Sequence, residues 1–166
     1  MLQKIIDIVR KASGLMVTEG FTVNQKEGFT NIVTSSDLAV QSFLCKELSQ
    51  LIPGSGFFCE EEDLAYKATD GGAGTMEPEY VWIIDPIDGT ANYSRGIDHC
   101  CISVALSRLG EVVCGVVYSP MRDELYCAEK DHGAWCNGVP IKVSGRPFED
   151  GILCSALCLY RKEHAQ

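Results

Sequence analysis

Asp85 and Asp88 stand three residues apart on either side of Pro86, directly after the run Tyr80-Val81-Trp82-Ile83-Ile84. That β-branched and aromatic run reads as a buried strand. Carboxylates at the end of such a strand repel one another unless a cation binds there. The fixed φ of Pro86 predicts a turn on which both carboxylates converge on one hard cation, with the Ile87 carbonyl as a third oxygen. Gly89 lets the backbone come close to a ligand without a Cβ in the way. Thr90-Ala91-Asn92 predicts a helical turn whose open N–H groups receive a phosphate, with the Thr90 hydroxyl beside them. Ligands for a cation and a cradle for an anion thus occupy six consecutive residues.

These residues sit in the acidic part of the chain. Residues 60–88 hold nine carboxylates against one base, Lys67, and carry nearly all of the net charge of −9. A solvated loop suits Asp70-Gly71-Gly72-Ala73-Gly74 and the stretch to Pro78. It does not suit Asp85 and Asp88. So acidic a chain has no general attraction to nucleic acid or anionic lipid, so neither nucleic acid nor membrane is an expected partner. No apolar run approaches the roughly 20 residues needed to cross a bilayer. An acid at Asp7 falls inside what would be the apolar part of a signal peptide. Nine cysteines cannot all pair internally, and none forms a Cys-x-x-Cys. They read as small buried hydrophobes in a reducing compartment, and the expected location is cytoplasmic.

The elements that must position the acidic centre follow from periodicity. Leu2, Ile5, Ile6, Val9, Ala12 and Met16 predict an amphipathic helix over about 2–18. A short extended stretch at Phe29–Val33 precedes Thr34-Ser35-Ser36-Asp37, which supplies caps for a second helix ended by Pro53-Gly54. Gly56–Cys59 reads as a brief strand. Beyond Asp88 the pattern is β: strands over Cys100–Leu109, Glu111–Tyr118 and Asp123–Glu129, then a hairpin at Asn137-Gly138 and one more strand within Ile152–Cys158. The fold class is α+β, with two N-terminal helices on a mostly antiparallel sheet.

At Asp85-Pro86-Ile87-Asp88-Gly89-Thr90 the sequence resembles the inositol monophosphatase family, within the Mg²⁺-dependent, lithium-sensitive sugar phosphatases. Glu60-Glu61 falls where relatives carry a Glu-Glu pair. Val33-Thr34-Ser35-Ser36-Asp37, Gly115–Pro120 and Gly133–Gly138 resemble further blocks in the same order. The resemblance implies the amino-terminal half of the family's αβαβα sandwich, and Mg²⁺ as cofactor. By it, Glu60, Asp85 and the Ile87 carbonyl hold a first ion, while Asp85 and Asp88 hold a second. Glu61 supports a weaker ion or its waters. Asp37 and Thr90 orient and deprotonate the attacking water, and Gly89 and Thr90 donate N–H groups to the phosphate. The implied reaction is hydrolysis of inositol monophosphate, or a similar small phosphorylated polyol, by metal-activated water. An all-oxygen site suits Mg²⁺ and argues against zinc.

The chain also departs from the family. The later Trp-Asp signature is missing: Trp82 precedes Ile83 and Trp135 precedes Cys136. Residues 1–150 are expected to form a metal-binding phosphatase-like domain, and 151–166 to begin a truncated second half. Three alternatives stay open. One is the same chemistry on a 3′-phosphoadenosine nucleotide, fructose 1,6-bisphosphate or histidinol phosphate. The second is a catalytically incomplete fragment that binds a metal or a partner chain. The third is a redox protein using the cysteines. Relatives suggest a homodimer, and the residues leave the oligomeric state open. His99 reads as structural or rim-lining, His132 and His164 as exposed, Trp82, Trp135, Cys100 and Cys101 as packing residues, and Lys26 as a loop lysine.

Overall fold

The computed structural model describes residues 1–17, 19–25, 32–61 and 78–152. In chain order its elements are α1 (Leu2–Ser13), β1 (Val23–Gln25), β2 (Ile32–Thr34), α2 (Ser35–Leu51), β3 (Gly56–Cys59), β4 (Tyr80–Asp88), α3 (Thr90–Tyr93), β5 (Cys101–Arg108), β6 (Glu111–Ser119), β7 (Glu124–Glu129), β8 (Gly133–Cys136) and β9 (Val139–Ile141), followed by a 3₁₀ turn at Phe148–Asp150. A seven-stranded sheet runs β3-β4-β5-β6-β7-β8-β9. From β4 to β9 it is an antiparallel meander, and β3 joins β4 in parallel. The expected α+β layout is the observed one.

Turn chemistry makes the meander short. Leu109-Gly110 and Asn137-Gly138 each place both turn residues at positive φ, the geometry that matches strand twist. Asn137 also ties its turn back to β7: its Oδ1 accepts the Leu125 N–H at 2.8 Å and its Nδ2 donates to the Asp123 carbonyl at 2.9 Å.

One face of the sheet is covered. Ile5, Ile6, Val9 and Ala12 of α1, with Val40, Leu44, Cys45 and Leu48 of α2, pack on Trp82, Ile84, Ile102, Val104, Leu106 and Val116. The alternation along β5, buried at Ile102, Val104 and Leu106, is what a half-covered strand requires. Each such large side chain contributes roughly 1.5–3 kcal/mol when fully buried. Trp82 is a packing residue as expected, and its indole N–H donates to Ser55 Oγ at 3.0 Å.

One boundary needs correcting, and two expected strands are described only in part. α1 stops at Ser13 rather than near residue 18, because Ser13-Gly14 loosens the helix. The following N–H groups bond three residues back, Gly14 to Lys11, Leu15 to Ala12 and Met16 to Ser13. The extended stretch before α2 is Ile32–Thr34, and it pairs with Val23–Gln25, a strand the sequence did not announce. Ile152 is exposed and outside any strand. The remainder of the predicted last strand, with Lys26 and Phe29, lies outside the described residues, as does His164. No helix among the described residues is long and apolar enough to cross a membrane.

Candidate active site

Asp37 is fixed first by its own helix. Thr34 caps α2, and Asp37 at the third helical position completes a capping box. The Thr34 backbone N–H donates to Asp37 Oδ2 at 2.9 Å, and the Thr34 hydroxyl donates to the same oxygen. Asp37 is fully buried, yet its other oxygen faces outward from the helix: Thr90 Oγ1, 53 residues along the chain, donates to Oδ1 at 3.0 Å. Thr90 Oγ1 lies equally 3.0 Å from the Ile87 carbonyl, so one hydroxyl hydrogen is shared between two acceptors. Asp37 is therefore both a cap and a site residue. Tyr93, buried and stacked on Phe21, holds the two helices in this relation through its hydroxyl, 2.8 Å from Ser36 Oγ.

Asp85 and Asp88 are not in a turn. β4 continues through Pro86 to Asp88, and the sequence expectation is corrected here. Asp85 pairs with Ser103 and Asp88 with Cys101, so three steps on β4 face two on β5. The extra residue is a β-bulge, a place where proline is tolerated in a sheet. The bulge matters because carboxylates three apart in a regular strand point to opposite faces. Here both share the face of Ser103 and Cys101. Cys101 is consequently not a core residue: its Sγ lies 3.9 Å from Asp88 Oδ2, whereas Cys100 is buried as expected.

Gly89 also owes its identity to something other than a ligand. Its φ is +87°, and a Cβ would sit 2.7 Å from the His99 carbonyl oxygen. Packing against His99 and Cys100, just before β5, favours glycine.

Glu60 and Glu61 enter from the end of β3. The Glu60 N–H donates to the Ile84 carbonyl at 3.1 Å, extending the parallel pairing beside Asp85. Glu61 is buried, and Gln41 clamps its backbone twice: Nε2 donates to the Glu61 carbonyl at 2.8 Å, and Oε1 accepts the Glu61 N–H at 3.1 Å. Sequence reasoning missed Gln41. The signal in the sequence is a polar residue one turn after Asp37, between the apolar positions Val40 and Leu44.

The electrostatics converge on Asp85. Its Oδ1 is buried and has no hydrogen-bond partner among the described residues. Burial pushes its carboxyl up to about 8, and the neighbouring Glu60, Asp88 and Asp37 charges push in the same direction. A cation is the group that relieves both the orphaned oxygen and the repulsion, and the oxygen donors suit a hard ion such as Mg²⁺. Among the described residues, no three His, Cys, Asp or Glu side chains are grouped tightly enough to hold an ion by themselves. Beside Asp88 and Gly89 opens a pocket of about 400 Å³ lined also by His99, Cys101, Ser119 and Arg122. His99 lines its rim, as expected, with its Nδ1 3.2 Å from Arg122 Nη1.

A model described as the inositol monophosphatase family matches residues 1–166. The chain belongs to the inositol monophosphatase family. An inositol monophosphatase from Mesembryanthemum crystallinum is 35% identical over 149 residues, covering 87% of this chain and 53% of its own. The Thermotoga maritima IMPase structure superposes with a TM-score of 0.71 at 34% identity, over 84% of this chain and 52% of that one. An IMPase/NADP phosphatase solved with NADP and Ca²⁺ gives a TM-score of 0.72 at 26% identity, over 84% and 52%. The chain spans about half the length of the inositol monophosphatase relatives it matches.

Proposed function

We propose that this chain carries the metal-holding centre of a Mg²⁺-dependent phosphomonoesterase acting on inositol monophosphate or a similar small phosphorylated polyol. The observation that carries the reading is the buried Asp85 oxygen, without a partner among the described residues and set among Glu60, Asp88 and Asp37. Glu60, Asp85 and Asp88, which the structure does not group tightly enough to form a closed site, would hold Mg²⁺ together with the Ile87 carbonyl, with Glu61 behind them, and residues 1–150 would form that unit. Bound Mg²⁺ supplies positive charge to the phosphoryl oxygens and makes a nearby water easier to deprotonate.

The chain's own residues do the rest. Thr90 Oγ1 passes its hydrogen to Asp37 Oδ1 as it receives one from the attacking water, so the proton ends on Asp37. Thr34 holds Asp37 Oδ2 throughout and keeps the accepting oxygen aimed at Thr90. The N–H groups of Gly89 and Thr90, at the start of α3, orient the phosphate. Phosphate release from a panel of monoesters, with and without MgCl₂, tests this. Turnover that needs both Mg²⁺ and Asp88, lost in Asp88→Asn, is the expected result.

A second reading is favoured by one fact, the half-length match to relatives. In it the chain binds Mg²⁺ without turnover. Calorimetric Mg²⁺ uptake, together with phosphate release no greater than that of Asp88→Asn, selects this reading over the first.

A further inference from the structure

Asp37, Gln41 and Cys45 are spaced four apart on α2 and so share one side of the helix. Each meets the acidic centre or the segment that feeds it. Asp37 reaches Thr90, and Gln41 clamps the Glu61 backbone. Cys45, one turn further, meets Cys59, the last residue of β3 and the one before Glu60. The two sulfurs are 3.6 Å apart, in van der Waals contact. Both cysteines are free thiols, Cys45 buried and Cys59 half-buried.

We propose that Cys45 and Cys59 form a reversible dithiol–disulfide site that covalently joins α2 to the strand delivering Glu60 and Glu61. Two rigid elements already hold the sulfurs in contact, and a disulfide needs them to approach by only about 1.5 Å more. Two other cysteines are differently placed: Cys100 packs on Met121, and Cys101 faces Asp88.

The oxidant class is a hydroperoxide, with hydrogen peroxide as the probe. Cys59, the more exposed thiol, loses its proton and attacks one peroxide oxygen. An S–O bond forms, the O–O bond breaks, and the departing hydroxide takes that proton to become water. Cys45 then loses its proton and attacks Cys59 Sγ. The S–S bond forms, the S–O bond breaks, and the second hydroxide leaves as water with the Cys45 proton. Two thiols are oxidised by two electrons, and one peroxide is reduced to two waters. A dithiol reductant reverses the change by exchange.

The link closes the segment from Cys45 to Cys59, which contains the Pro53-Gly54 turn. Closing a segment of this length restricts the unfolded chain, so the oxidised form should melt about 5–10 °C higher than the reduced one. The test treats the full native chain with hydrogen peroxide, alkylates remaining thiols, digests it and maps the peptides by mass spectrometry, with melting followed in parallel. The expected result is a peptide pair joined through Cys45 and Cys59, a melting rise reversed by dithiothreitol, and loss of both in Cys45→Ala and in Cys59→Ser. Recovery of both residues as separately alkylated thiols overturns the proposal. So does oxidation of Cys59 to sulfinic acid without a link, or a melting rise that persists in the two variants.

Discussion

Asp85 holds an oxygen that finds no donor among the described residues, and its ionised form is opposed by burial and by three neighbouring carboxylates. The consequence for pH has a definite sign. The folded chain raises this carboxyl from its ordinary 3.8 to about 8, so it favours the protonated form. The stability it contributes is full below the unfolded value and is lost as pH rises through about 8. Metal-free melting temperature should therefore fall more steeply between about pH 5 and about pH 8 in the wild type than in Asp85→Asn. Scanning fluorimetry checks this, and parallel slopes would contradict it. At the other end of the site, Thr90→Val preserves shape while stripping Asp37 Oδ1 of its donor. Urea unfolding should show a loss of about 1–3 kcal/mol, the cost of an unsatisfied buried acceptor.

At the scale of elements, the site depends on a bulge and a glycine. Gly89→Ala places a Cβ against the His99 carbonyl at a φ that side chains rarely adopt. It should cost about 1–3 kcal/mol in urea unfolding, and a neutral result would remove packing as the reason for this glycine. Leu44→Ala, in the fully buried layer between α2 and the sheet, should cost about 2–5 kcal/mol and leave the pH slope of the acidic centre unaltered. Much of this architecture was legible beforehand. The Asn137-Gly138 hairpin, the apolar run of β4 and the Thr34–Asp37 cap each express a local rule that the tertiary structure obeys. The bulge was not legible, because Pro86 signals a turn as strongly as it signals an interruption in a strand. For Gly89 the sequence offers a ligand-side reason and does not reveal the packing one, the His99 carbonyl oxygen 2.7 Å from where its Cβ would be. Gln41 and Cys59 gain their roles from partners about a helix and a strand away, which spacing alone does not encode.

At the scale of the whole molecule, charge is the dominant feature. A net charge of −9, most of it gathered in residues 60–88, makes the folded chain repel itself. Raising monovalent salt from low to physiological strength should raise the melting temperature through screening, and MgCl₂ at matched ionic strength should raise it further. A magnesium effect no larger than the sodium effect would reduce the acidic centre to a diffuse field. Whether Asp85 is a ligand for a divalent cation is read out by titrating MgCl₂ into the wild type and into Asp85→Asn in a calorimeter. Saturable uptake by the wild type that disappears in Asp85→Asn is the predicted result. Equal uptake by both proteins, or none by the wild type, would contradict it.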